Sequence, residues 1–116
     1  MSVTKYMVLY RSFVPASEQM ASASPEAAQA GMQLWMDWAG RVGSAMTDMG
    51  SPLQTVVTID KAGAAAAGAS PFIGGFSVLE ADSAEVVKNL LDNHPHLHAP
   101  GDPSMEILKY LPPPGM

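Results

Sequence analysis

Three histidines within five residues form the densest group of reactive side chains in the sequence. His94, His96 and His98 alternate with Pro95 and Leu97. Imidazole titrates near neutral pH and ligates metals, so the group could act in acid–base catalysis or hold a metal ion. In a third interpretation the rings only cap backbone carbonyls after a helix. The spacing matches no strong zinc motif, so we expect no metal and no cofactor, with His96, assisted by His94, as the predicted catalytic pair.

Four side chains are predicted to bind a substrate beside His94 and His96. Tyr10 and Arg11 end a predicted strand, where a polar pair could point into a cleft, and Arg11 could instead form an ordinary ion pair. Trp35 lies on an apolar helix face, where it belongs to the core or lines a small apolar pocket. His98 completes this predicted substrate-binding set.

Composition and charge narrow the class of protein. The 116 residues suffice for one domain, hydrophobic residues make up 47%, and the net charge is −5. The six basic side chains are scattered, so the sequence predicts binding neither to nucleic acid nor to an anionic membrane. Cysteine is absent, which excludes disulfides and thiolate chemistry. No long apolar segment stands out, and we expect a cytoplasmic protein.

Hydrophobic periodicity predicts six elements around these residues. In chain order they are a strand at 4–12, a helix at 24–47, strands at 54–60 and 73–80, a helix at 83–93, and a strand at 104–111. A low-complexity stretch at 61–71 is predicted to be a mobile connection, and the proline-rich tail at 112–116 cannot join a sheet.

Local signals predict where the helices begin and end. Ser24 is a good N-cap, followed by Pro25 at the first helical position. The second helix is expected to begin after Asp82, with Asn93 as a left-handed cap and Pro95 preventing continuation.

The order strand, helix, strand, strand, helix, strand is typical of the α+β ferredoxin-like βαββαβ arrangement. It places a four-stranded antiparallel sheet beneath two helices on one face. The other sheet face then needs a cover, and a second copy is the simplest one. We therefore predict one domain over 1–116 that forms a homodimer through its sheet face.

The sequence also resembles the YCII-related family, including its DGPF-type branch, over nearly its whole length. The segments that carry the resemblance are Lys5–Tyr10, Gly74–Ser83, Asp92–Leu97 and Ser104–Leu108. The resemblance implies a dimeric α+β barrel. Some family members are proposed to pair a helix histidine with an aspartate. Here Met32 stands at that histidine position, Asp48 lies near the expected aspartate and joins the predicted substrate-binding residues, and 69–72 keeps only the last two residues of the DGPF signature.

Three functions remain open on the sequence alone. The first is a cofactor-independent enzyme that performs acid–base chemistry on a small apolar or aromatic metabolite. The second is a non-catalytic module that binds a small ligand or dimerises. The third is a purely structural dimer. A histidine that opens into an apolar pocket beside a carboxylate would favour the enzyme.

Overall fold

A computed structural model describes residues 3–63, 65–66 and 71–115, without the side chains of 65 and 66. The strands are β1 (Thr4–Ser12), β2 (Met46–Pro52), β3 (Thr58–Ile59), β4 (Ala65–Ala66), β5 (Phe72–Ala81) and β6 (Ser104–Lys109). The helices are α1 (Ala16–Ser22), α2 (Pro25–Val42) and α3 (Ala84–Leu90), and single 3-10 turns span Gly43–Ala45 and Pro95–His98.

The main sheet has four antiparallel strands in the order β2-β5-β1-β6. This confirms the predicted α+β class with a four-stranded antiparallel sheet, and the strand order is compatible with a ferredoxin-like fold. β3 and β4 form a separate two-stranded sheet.

One face of the sheet packs against the helices and forms the core. Tyr6, Val8 and Tyr10 alternate along β1 and are buried, as period-two geometry requires of a half-covered strand. They join a cluster with Trp38 of α2 and Val87 of α3. We call this the helix face, and the opposite surface, which carries Met7 and Leu9 of β1, the open face.

The predicted helix starts agree with the structure, with one change of cap. The Ser24 hydroxyl accepts a hydrogen bond from the backbone N–H of Ala27, as an N-cap should. At the second helix Ser83, not Asp82, caps in the same way. The helix predicted over 24–47 ends earlier, at Val42, because Gly43 adopts a φ of +63°.

The prediction of the second strand at 54–60 is wrong. The sheet strand is β2, and only Thr58 and Ile59 of the predicted range are extended in a ladder, outside the main sheet. β2 is an edge strand with two register shifts, which is where glycine and proline are tolerated. Gly50, at φ +86°, is required there because a Cβ would stand 1.5 Å from the carbonyl oxygen of Phe76.

Two smaller expectations also have outcomes. The segment 13–23, for which the periodicity predicts no element, contains α1, in which no residue is buried. The predicted mobile connection at 61–71 falls largely outside the described residues, as does the last residue of the tail. In the part of the chain that the structure describes, no helix is both long and apolar enough to cross a membrane.

Candidate functional site

His94 lies at the centre of an aromatic cluster on the helix face. It is fully buried after α3, at the start of the Pro95–His98 turn. Its ring centroid is 4.3 Å from that of Trp38, 4.6 Å from that of Trp35 and 5.0 Å from that of Tyr10. The two tryptophan rings meet it edge-on, and the tyrosine ring stacks on it at 28°. We call these four side chains the aromatic cluster.

The hydrogen bonds of His94 define its tautomer. Its Nδ1 accepts the backbone N–H of His96 at 2.9 Å, so Nδ1 carries no hydrogen. In the neutral ring the hydrogen is therefore on Nε2. That atom is buried and has no hydrogen-bond partner among the described residues. A buried donor without a partner is costly, and it is the least satisfied polar group in the cluster.

The surroundings of His94 keep its ring neutral. Burial among aromatic rings lowers the pKa of His94 to about 3, and the charges of His96 and Arg41 act in the same direction. At neutral pH the ring can therefore donate through Nε2 but accepts a proton poorly. As an acid–base group it would act as a neutral donor, not as a base.

His96 is held by the backbone of two strands. Its Nε2 lies 2.8 Å from the carbonyl oxygen of Arg11 and 3.0 Å from that of Ser104. Both partners only accept, so Nε2 carries the hydrogen and donates. Arg11 and Ser104 stand opposite each other in the β1–β6 ladder. His96 therefore binds the Pro95–His98 turn to the paired ends of both strands.

The remaining predicted residues lie elsewhere. His98 is exposed and donates from Nε2 to Oδ1 of Asn93 at 3.1 Å. The Arg11 side chain points to the open face, where its Nη1 lies 3.0 Å from Oε1 of Glu106. Asp48 is exposed on β2, and its Oδ1 accepts the backbone N–H of Gly50. The structure thus brings together Tyr10, Trp35, His94 and His96, and it does not bring His98, Arg11 or Asp48 to them.

Tyr10 links the cluster to three strands. Its hydroxyl donates to Oγ of Ser77 on β5 at 2.8 Å, and Ser77 donates to the carbonyl oxygen of Met49 on β2 at 2.7 Å. Burial raises the pKa of Tyr10 to about 12, although the bond to Ser77 lowers it slightly. The phenol therefore remains protonated and serves as a donor at any ordinary pH.

Sequence reasoning missed two members of this network. Trp38 is not among the predicted site residues, yet its Nε1 donates to the carbonyl oxygen of Leu90 at 2.8 Å and its ring packs edge-on against that of His94. Ser77 had one usable signal, because it is a polar residue at an inward position between Gly75 and Leu79 in a strand with period-two burial.

Cavities on the described surface include two that are not lined by any predicted site residue. One, of about 230 Å³, lies between the start of α1 and the beginning of β5, with Leu53 on its wall. The other, of about 190 Å³, lies between the ends of α2 and α3 and is lined by Arg41 and Asp92 among others. Among the described residues, no group of three or more histidine and carboxylate side chains could hold a metal ion.

Comparison with known proteins adds no identification. No protein-family model matches the chain, and no curated protein matches it.

Proposed function

We propose that this protein is a homodimeric α+β module, related to the YCII family, in which the open faces of two sheets pack together. In this proposal the histidines stabilise the fold of each protomer and perform no chemistry, and the module acts in the cytoplasm. The observation that carries the proposal is that the open face is apolar at its centre and lies on the side of the sheet away from the helices.

The centre of the open face consists of aliphatic and aromatic side chains from three neighbouring strands. Leu9 stands opposite Phe76 across the β1–β5 ladder, and Met7 stands opposite both Val78 of β5 and Leu108 of β6. The helices pack on the other face, and the molecule is only 19 Å thick in its thinnest direction. One sheet and one helix layer account for that thickness, so no second layer of the described chain lies on this face. Within it Val78 is buried at 6% exposure, Met7, Leu9 and Phe76 are half-buried, and Leu108 is exposed.

Charged residues border the apolar centre along the strand direction. At one end Arg11 pairs with Glu106 at 3.0 Å. At the other end Lys5 stands directly opposite Glu80 in the β1–β5 ladder. An apolar centre with a charged border is the composition of many interfaces, and each end carries both signs of charge. In a dimer with two-fold symmetry, opposite charges of the two copies can therefore meet whichever ends of the two open faces lie together.

The hydrogen bonds of the histidines favour this non-catalytic function. His96 is engaged by two backbone carbonyls, and His98 faces water bonded to Asn93. An imidazole that donates to the main chain stabilises a turn and has no free nitrogen on that side for a substrate.

The oligomeric state tests the proposal directly. Sedimentation velocity of the purified chain should give twice the 12.2 kDa mass of one chain. Leu108 lies on the open face and is 36% exposed in the protomer, so Leu108→Glu should not disturb the fold. This variant should give monomers with an unchanged far-UV spectrum. The matched control is Leu34→Glu on the outer side of α2, 54% exposed, which should stay dimeric. A monomeric wild type, or a dimer that survives Leu108→Glu, would contradict the proposal.

One observation favours a second candidate function, the acid–base enzyme. The Nε2–H of His94 is buried without a partner beside Trp35 and Tyr10, and a substrate oxygen could accept it. Small aromatic and apolar metabolites should then raise the melting temperature of wild type but not of His94→Phe, with exposed His98→Ala as the control. If no compound separates the three proteins, this candidate is refuted.

A further inference from the structure

The segment that follows β2, residues 53–63, carries four large apolar side chains that are exposed to solvent. Leu53 is 39% exposed, Val56 78%, Val57 47% and Ile59 73%. No residue of the segment is buried. We call residues 53–63 the arm.

Within the protomer, the large apolar side chains of the arm remain exposed. It meets the main sheet at its base, where the backbone N–H of Leu53 donates to the carbonyl oxygen of Gly74. Among the described residues, its strand pairing is limited to two residues, in the ladder of β3 with β4. A short two-stranded ribbon is marginal in water, and exposed valine and isoleucine at adjacent positions need a cover.

We propose that the arm of each protomer packs against the second copy in the dimer and supplies a large share of its binding surface. This inference rests on the proposed sheet-face dimer and extends it to a named segment. The surface is continuous on one side, because β2 ends at Pro52 and the arm begins at the next residue, Leu53. Ile73, 37% exposed, lies opposite Arg11 in the ladder and so joins the open face to the base of the arm.

The area of the open face indicates why the arm is needed. β1 pairs with β6 over six residues and with β5 over nine, so four strands present a footprint of about 400–600 Å² at ordinary strand spacing. Stable interfaces bury about 800 Å² on each partner. The open face alone therefore provides about half to three quarters of the usual area, and the apolar side chains of the arm can provide the remainder.

The charge of the arm also favours a second copy over other occupants. Its charged residues are one aspartate and one lysine, Asp60 and Lys61. Binding to nucleic acid or to an anionic membrane needs a cationic surface, which the arm does not offer. An apolar segment of balanced charge fits another apolar protein surface, and two-fold symmetry provides one for both arms at once.

Photocrosslinking distinguishes this inference from the dimer on which it rests. A benzoylphenylalanine is placed singly at position 56 in the arm, at position 108 on the open face, or at the exposed position 29 of α2. Irradiation should yield a covalent dimer from positions 56 and 108 and none from position 29. A dimer from 108 alone overturns the arm contact and leaves the sheet-face dimer intact. If neither position 56 nor position 108 yields a covalent dimer, both the arm contact and the sheet-face dimer are refuted. A yield from position 29 equal to that from position 56 would also overturn the arm contact.

Affinity gives a second, independent measurement. The double variant Val56→Asp/Ile59→Asp should weaken dimerisation about 100-fold in sedimentation equilibrium, because two apolar side chains lose their burial. Both positions are exposed in the protomer, so its far-UV spectrum should not change. The matched control, Met32→Asp/Leu34→Asp on α2, changes two apolar residues that are also exposed and should leave the affinity within threefold of wild type. Equal effects of the two double variants would overturn the inference.

Discussion

The buried neutral His94 predicts how the stability of the protein depends on pH. In the unfolded chain a histidine has a pKa near 6.5, while in the folded protein burial lowers the pKa of His94 to about 3. Between these values the unfolded state binds a proton that the folded state does not. The stabilisation is therefore complete above pH 6.5 and is lost as the pH falls.

The size of the effect follows from the two pKa values. Each pH unit well below 6.5 costs about 1.4 kcal/mol of unfolding free energy for one such group. Between pH 7 and pH 5 the contribution of His94 is a loss of about 2 kcal/mol. That is a large fraction of the 5–15 kcal/mol typical of a whole domain.

Urea unfolding of wild type and His94→Phe, followed by circular dichroism at pH 7, 6 and 5, measures this contribution. Phenylalanine keeps a ring in the cluster but cannot titrate, so carboxylates and other groups affect both proteins equally. The gap between the two free energies should shift in favour of the variant by about 2 kcal/mol from pH 7 to pH 5. Protein concentration is held constant because a dimer would make stability depend on it. Parallel profiles, within 0.5 kcal/mol by a rough experimental margin, would refute the reasoning.

Two further pairs of variants test the fold. His96→Ala should lower the unfolding free energy by about 2–3 kcal/mol, because two strand-end carbonyls lose their donor. The control, exposed His98→Ala, should change it by less than about 0.5 kcal/mol. Equal effects would contradict the role assigned to His96. Gly50→Ala should lower the unfolding free energy by about 3 kcal/mol or more, because residue 50 has a positive φ and the new Cβ would meet the carbonyl of Phe76. Gly31→Ala, with open space around it in α2, should raise the unfolding free energy by about 0.5–1 kcal/mol. Thermal melts that rank the two glycine variants the other way would be inconsistent with the structure.

The fold was predictable wherever periodicity and caps agreed. β1, β5 and β6 carry clear apolar alternation, and the start of α2 has both a serine cap and a proline. The prediction missed β2 because Gly50 and Pro52 are typical of a turn, while Val56 to Ile59 alternates like a strand. In the structure, β2 pairs with β5 at the edge of the main sheet through two register shifts, whereas the described part of 54–60 pairs with β4. Local sequence cannot show which segment reaches the edge of β5.

The candidate site was predictable in its members and not in their roles. The histidine cluster, Tyr10 and Trp35 were singled out, and four of those side chains do meet. Which histidine is buried depends on contacts with β1 and α2, far away in sequence, and no spacing rule encodes them. Arg11 could have been separated from Tyr10, since neighbours on a strand point to opposite faces.

The strand order has a consequence for how the protein folds. β1 is a central strand, yet its two neighbours are β5 and β6, which follow it only in the second half of the chain. During synthesis the first strand therefore emerges without either partner and must remain unpaired until both have been made. High separation between paired segments slows folding to milliseconds or seconds. The exposed alternation of Tyr6, Val8 and Tyr10 in that interval makes β1 the segment on which a chaperone or a neighbouring nascent chain would act first.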